Sequence, residues 1–281
     1  MATQQDIDDR FRVHVLGVGN YYSEFYSTTS FLVEAGERLI LVEAPCELPK
    51  KLSKYREAVK ARCDAAHEEV PEGIDRLVLA NLNDFIVTHV HGDHSAGLEG
   101  IAWQKMFRQD RPLLQDFRTK AVDLGRRPKL YGTSEVLGEI EESSKPSLTN
   151  QTGLDFHHFF NAVALELGKR FRIGDVALEL YPSYHGVAGF SFMMGYHGRT
   201  LAYSSDTKFA SDLAYRLSTA QVMIHECDGS EAVHTSAPQL SGWLKNSGYD
   251  GRLYVCHLDD EKSRPEENGL VPLKENTFID V

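Results

Sequence analysis

Short apolar runs punctuated by glycine, asparagine and aspartate dominate the chain, the pattern of strands joined by turns. Residues 11–18 alternate in part and reach glycine at Gly17, predicting a first strand. Residues 30–34 and 39–42 flank Gly36-Glu37-Arg38 and predict a hairpin. The period then changes: over 49–66, Leu52, Tyr55, Val59 and Cys63 fall on one helical face. Residues 74–87 carry mixed apolar turns and close in the strand Phe85-Ile86-Val87. A helix is predicted over 96–107, a short strand over 129–132, and beyond it a helix capped by Thr133 or Ser134.

The second half repeats the style. Gly174-Asp175 separates the runs 170–173 and 176–181, and His197-Gly198 separates 190–196 from 200–203, so two more hairpins are predicted. Helices are predicted over 211–217 and 238–247, and buried strands over 221–224 and 253–256. Strands and helices interleave while hairpins recur, so the sheets must be mixed. The expected architecture is α/β of the α+β type, two layered mixed sheets with helices outside. We read residues 1–281 as one domain, with its core at about 11–258 and a polar tail over 259–281 wrapping the surface.

Composition narrows the class. At 281 residues, 42% apolar and 25% charged, the chain can bury a sizeable globular core. No apolar run approaches the roughly 18 residues of a membrane span, and the first residues lack a basic, apolar leader, so a cytoplasmic protein is expected. Cys46, Cys63, Cys227 and Cys256 are far apart without a CxxC pair, which fits reduced thiols. A net charge of −11 argues against general nucleic-acid binding. One stretch departs from that balance: Lys105, Arg108, Arg111, Arg118, Lys120, Arg126, Arg127 and Lys129 face only Asp110, Asp116 and Asp123. It either lines the approach of an anionic substrate or forms a solvated or intersubunit face.

The chemistry concentrates in Thr88-His89-Val90-His91-Gly92-Asp93-His94, directly after the strand ending at Val87. Imidazole nitrogen and carboxylate oxygen suit zinc, manganese or iron. His89, His91, Asp93 and His94 would crowd one ion, so the spacing points to two. Two ions need about seven ligands in all, and three further positions stand just past apolar runs: His185, Asp206 and His257. Together they would give one rim of the sheets a dinuclear site.

With Leu16-Gly17-Val18-Gly19, Thr29-Ser30, Gly97-Leu98-Glu99-Gly100, His185-Gly186, Ser205-Asp206-Thr207, His225-Glu226, His234-Thr235-Ser236 and His257, these motifs run from about residue 12 to 258. In that order the chain resembles the metallo-β-lactamase fold superfamily, and within it the ribonuclease Z-like branch. The resemblance implies an αββα sandwich. It implies one metal on His89, His91 and His185, another on Asp93, His94 and His257, Asp206 bridging them, and a hydroxide between the ions as nucleophile. It also implies that Asp93 accepts a proton during attack, that His234 donates one to the leaving oxygen, and that His225 and Glu226 position His234. A purely structural role for those last three is the alternative. Zinc is the default metal, with iron or manganese as alternatives.

Two departures bear on function. Ribonuclease Z carries a long basic arm for transfer RNA between the strands that here end at Phe192 and begin at Thr200, where only a turn fits, so tRNA is not an expected partner. The family's acidic-Cys-Gly turn reads Glu43-Ala44-Pro45-Cys46. The expectation is a dinuclear metal-dependent hydrolase, a phosphodiesterase on a small anionic phosphodiester or cyclic nucleotide. Hydrolysis of an ester, lactone, amide or aryl sulfate is the alternative, and a non-catalytic metal-containing regulator the third reading. No membrane partner is expected, and a homodimer is the common case. His157, His158 and His197 match no motif and are expected on the surface.

Overall fold

In the first strand the predicted alternation becomes β1 (Phe11–Gly17), which buries Phe11, Val13 and Val15. The computed structural model describes residues 9–109, 125 and 127–281. β1 pairs antiparallel with β2 (Ser30–Ala35), which turns through Gly36 and Glu37 into β3 (Arg38–Val42). α1 (Leu48–Ala66) packs against β1 and buries Leu52, Tyr55, Val59 and Cys63, the face read from the spacing. β4 (Asp84–Ile86) runs parallel to β3 and delivers the chain to the one-turn α2 (Gly92–Ser95) and to α3 (Gly97–Gln104). The predicted 96–107 helix stops being α-helical at Gln104 and continues as a π-helical turn, Lys105–Gln109. β5 (Lys129–Gly132) and α4 (Ser134–Ser144) follow, with the Thr133 hydroxyl accepting from Val136 N as an N-cap. After α5 (Thr149–Thr152), the chain forms β6 (Asn161–Ala164), a strand the apolar pattern did not announce.

The second half forms the other sheet. β7 (Arg170–Ile173) and β8 (Val176–Pro182) make one hairpin, β9 (Phe190–Tyr196) and β10 (Arg199–Tyr203) the next. α6 (Ser211–Leu217), β11 (Val222–Glu226), α7 (Ala237–Ser247) and β12 (Arg252–Cys256) complete the interleaving. The residues after 258 do more than wrap the surface: β13 (Val271–Pro272) adds to β12 and β14 (Phe278–Asp280) adds to β1. The two seven-stranded sheets have the orders β14-β1-β2-β3-β4-β5-β6 and β13-β12-β11-β10-β9-β8-β7. The tail therefore caps one edge of each, which shields strand edges that would otherwise recruit other chains.

The sheets meet through large rings: Phe31 of β2 stands edge-on to Tyr203 of β10, centroids 4.9 Å apart. Both are fully buried. The αββα sandwich is thus the observed architecture. No described helix is long and apolar enough to cross a membrane. All four cysteines are free, with Cys46 alone exposed.

Of the basic stretch, Arg111, Arg118, Lys120 and Arg126 lie outside the described residues. Lys105 is buried, its ammonium donating to Ala80 O at 2.9 Å and Asn83 Oδ1 at 3.1 Å, so that end of the stretch is an anchor for the β4 approach. His157 and His197 are exposed as expected, but His158 is buried, its Nδ1 3.2 Å from Asp155 O. The turn over 156–158 packs this ring inward because Phe156, Phe159 and Phe160 around it are core residues.

Candidate metal centre

β10, β11 and β12 run parallel and in register, with Tyr203 level with Ile224 and Tyr254. Their carboxyl ends therefore open on one rim, where Asp206, Glu226 and His257 emerge. β4 brings His89, His91, Asp93 and His94 to the same rim from the other sheet, and a bridge between His89 and Gly189 ties the two sides together. His185 follows β8.

The side chains converge in three overlapping groups. His89, His91, His185 and Asp206 form the first, Asp93, His94 and His257 the second, and Asp206, His234 and His257 a third that shares members with both. His91 Nδ1 lies 3.2 Å from both His89 Nε2 and His185 Nε2. In the second group Asp93 Oδ2 lies 3.3 Å from both His94 Nε2 and His257 Nε2. Asp206 spans them: Oδ2 is 3.2 Å from His257 Nε2 and 3.7 Å from His89 Nε2, while Oδ1 is 3.5 Å from His94 Nε2. Tetrahedral ligands at about 2.0–2.1 Å from zinc stand about 3.3 Å from one another, so these separations fit a shared cation.

Buried polar atoms point the same way. Both ring nitrogens of His94, Oδ1 of Asp206 and Nδ1 of His257 are buried without a hydrogen-bond partner. Leaving such atoms unpaired costs about 1–3 kcal/mol each, and a cation facing Asp206 Oδ1 and His94 Nε2 would remove that cost for those two, though not for Nδ1 of His94 or His257. Electrostatics divide the cluster: burial lowers His94 and His257, but the facing Asp206 and Asp93 carboxylates raise His94 well above the ordinary imidazole range and His257 to about 9. Burial opposes charge on Asp206, yet the facing His257 and His94 hold its carboxyl well below the carboxylate range. Burial, then the neighbouring His94, keeps His89 well below the ordinary imidazole range, the deprotonated form that ligates.

Outer contacts fix the clustered imidazole rings. The Thr88 hydroxyl donates to Glu43 Oε1 at 2.6 Å, accepts from Ser205 Oγ at 2.6 Å, and lies 3.1 Å from His89 Nδ1. With its donor proton committed to Glu43, Thr88 can only accept from His89, which places the imidazole proton on Nδ1 and frees Nε2. His185 Nδ1 similarly faces Val233 O at 3.1 Å, whereas His94 Nδ1, 3.4 Å from Glu43 Oε1, makes a charge contact and no hydrogen bond. Such partners set tautomer and ring orientation. Glu43, Ser205 and His257 all have left-handed backbones, φ 62°, 54° and 57°. Each costs about 1–2 kcal/mol for an L-residue, and all three stand at this rim.

His234 lines the same cleft. Its Nδ1 is 3.1 Å from Glu226 Oε1 and 4.0 Å from Asp206 Oδ2. Burial pulls its pKa down, but the Glu226 hydrogen bond and charge, with Asp206, raise it overall. Glu226 is fully buried at the end of β11. His225 is buried too, with Nδ1 2.8 Å from Glu226 O, and it does not line the cleft.

The cleft has a volume of about 400 Å³, and sequence reasoning missed part of its lining: Asn20, Tyr21, Tyr22 and Asp228. A cluster of aromatics at 21, 22, 25 and 26 was the available signal. Thr88 and Glu43 were visible only as flanks of motifs. A larger cleft, about 620 Å³, lies at the opposite end of β4 around Arg38, Asp84 and Arg127, and contains none of the clustered histidines.

This sandwich and rim define a protein of the metallo-β-lactamase fold. Solved structures agree: YhfI from Bacillus subtilis, a metallo-β-lactamase fold protein, superposes with a TM-score of 0.68 at 16% identity, over 97% of this chain and 100% of its own. The short form of human tRNase Z matches at a TM-score of 0.65 and 15% identity, covering 95% and 98% of the two chains. Residues 11–271 match the family model described as Anti-Pycsar protein Apyc1, and the chain belongs to that family. A curated relative, Anti-Pycsar protein Apyc1 of Paenibacillus harenae, is 21% identical over 274 residues, 90% of this chain and 99% of its own.

Proposed function

We propose that the chain is a metal-dependent phosphodiesterase that hydrolyses a small cyclic nucleotide or related anionic phosphodiester. The observation that carries this reading is the pair of ligand groups joined at Asp206, beside a histidine held by a buried carboxylate. His89, His91 and His185 would hold one divalent ion, Asp93, His94 and His257 the other, with Asp206 shared and zinc the expected metal. When bound, the ions would supply Lewis-acid polarisation of the phosphoryl group and a water activated near neutral pH.

The remaining work falls to the chain. Asp93 is positioned to accept the proton released when water attacks phosphorus. As the ester P–O bond breaks, its electron pair goes to the leaving oxygen, and protonated His234 supplies the proton. Glu226 keeps His234 oriented and protonated. The cleft is of a size that takes one small molecule. β9 and β10 meet through the short turn at His197 and Gly198, which supports a small substrate over an RNA. The protein is read as cytoplasmic, with a homodimer the expected assembly.

Metal-loaded protein assayed with bis(p-nitrophenyl) phosphate and with 3′,5′-cyclic nucleotides tests the proposal. Turnover abolished by Asp93→Ala and reduced by His234→Ala is the expected result. Protein carrying both ions that turns over none of these substrates overturns it.

A further inference from the structure

Two tyrosines project from the loop between β1 and β2 to the mouth of the metal cleft. Tyr21 is 62% exposed and Tyr22 79%, yet both line the cleft with His91, His185 and His234. Their rings meet edge to face, centroids 5.7 Å apart. Tyr21 also reaches the ligand loop itself: a β-carbon added at Gly92 would lie 3.5 Å from its Cε2. Glycine between His91 and Asp93 leaves the space beside that ring open.

The loop is tied down. Asn20 Nδ2 donates to Asp228 Oδ2 at 2.7 Å and Asp259 Oδ2 at 3.2 Å, while its Oδ1 accepts from Tyr22 N at 3.0 Å. Further along, Ser23 Oγ and Glu24 N donate to the Asp260 carboxylate at 2.6 and 2.7 Å. The tyrosines are thereby fastened to the segments leaving β11 and β12, one of which begins with His257. Exposed rings on a fixed base, beside a site for an anionic group, suit a ligand with a phosphate at one end and a flat aromatic system at the other.

We propose that Tyr21 and Tyr22 form a stacking wall for the nucleobase of a nucleotide whose phosphate sits at the metal ligands, and that Asn20 is the residue positioning this wall. The proposal rests on the phosphodiesterase reading and adds the part of the substrate remote from the reacting bond.

Calorimetry of metal-loaded protein with adenosine 5′-monophosphate and with ribose 5-phosphate, which lacks the base, tests it. The native protein should bind the nucleotide about tenfold tighter, the order of one base–aromatic stack. Tyr21→Ala and Tyr22→Ala should bring the ratio toward one while leaving ribose 5-phosphate binding unchanged, and Tyr21→Phe should restore it. Phe25→Ala, on the same loop but outside the cleft, should leave the ratio intact. A native ratio near one overturns the wall, as does a ratio insensitive to both tyrosine truncations, or one lost equally with Phe25→Ala. A ratio that behaves as expected without turnover of cyclic nucleotides removes the catalytic reading and keeps the wall. Turnover with a ratio of one does the reverse.

Discussion

Glu226 and His234 form an oriented pair: imidazole Nδ1 lies 3.1 Å from Oε1 of a carboxylate that also accepts from the backbone N–H groups of Thr207 and Thr235, each at 3.0 Å. The second oxygen accepts from Asp228 N at 3.1 Å. A carboxylate held by three backbone amides cannot swing, so it fixes the ring that faces the cleft.

For Glu226→Gln the expectation concerns the pH profile. Protonated His234 donates, so activity falls as pH rises through its pKa, which burial lowers and Glu226 raises more. Removing the carboxylate charge should move that falling limb to lower pH. His234→Ala should lower kcat by about 10²–10⁴ with little change in bound metal, measured by steady-state kinetics beside elemental analysis. A loss of metal equal to the loss of activity would make His234 a ligand instead.

Thr88→Val keeps the shape and removes the hydroxyl that joins Glu43, His89 and Ser205. Metal affinity should weaken by about 10–100-fold, as for other groups that orient ligand histidines. Competition with a chromogenic chelator measures it.

Asp206→Asn should reduce metal content more than loss of any single histidine, because its carboxylate reaches His89 of one group and His94 and His257 of the other. Elemental analysis should show both ions diminished. Chelation of the native protein should lower Tm, since metal binds the folded state selectively.

Gly97→Ala tests the scaffold. An added β-carbon would lie 2.3 Å from Pro45 O and 2.6 Å from Ala44 O, both backbone atoms. Gly97 N also donates to Ala44 O at 2.7 Å. The variant should lose about 1–3 kcal/mol of stability in denaturant melts, as overpacking does elsewhere.

His14, in none of the clustered groups, supplies an acid-sensitive element of the fold. Burial lowers its pKa below 6.5, against the opposing Glu34 hydrogen bond and charge. The unfolded chain therefore binds a proton that the folded one refuses. Stability from this group is complete above about pH 6.5 and is lost as pH falls toward the folded value, by up to about 1.4 kcal/mol per pH unit. His14→Gln should flatten the native slope between pH 5 and 6.5 in urea titrations; an unchanged slope would remove His14 as its source.

Much of this could be read from residue types. The His89–His94 run, and His185, Asp206 and His257 after apolar stretches, foretold the side chains that converge, because strand ends leave side chains on a common rim. β6 went unseen because Asn161-Ala162-Val163-Ala164 has no alternation and its small residues merge into the apolar run from Phe159 to Leu165. The edge strands in the tail were also missed, since short pairing segments carry little periodicity. Tyr21 and Tyr22 became meaningful only once Asn20 was seen bonded to Asp228, a partner 208 residues away. Long-range hydrogen bonds of that kind leave no local pattern.

The second ligand group joins Asp93 to His257 across 164 residues. During synthesis, a ribosome must release nearly the whole polypeptide before that group can close. Closure of that cluster is consequently a late event in folding, and a product truncated before His257 would lack one of its members.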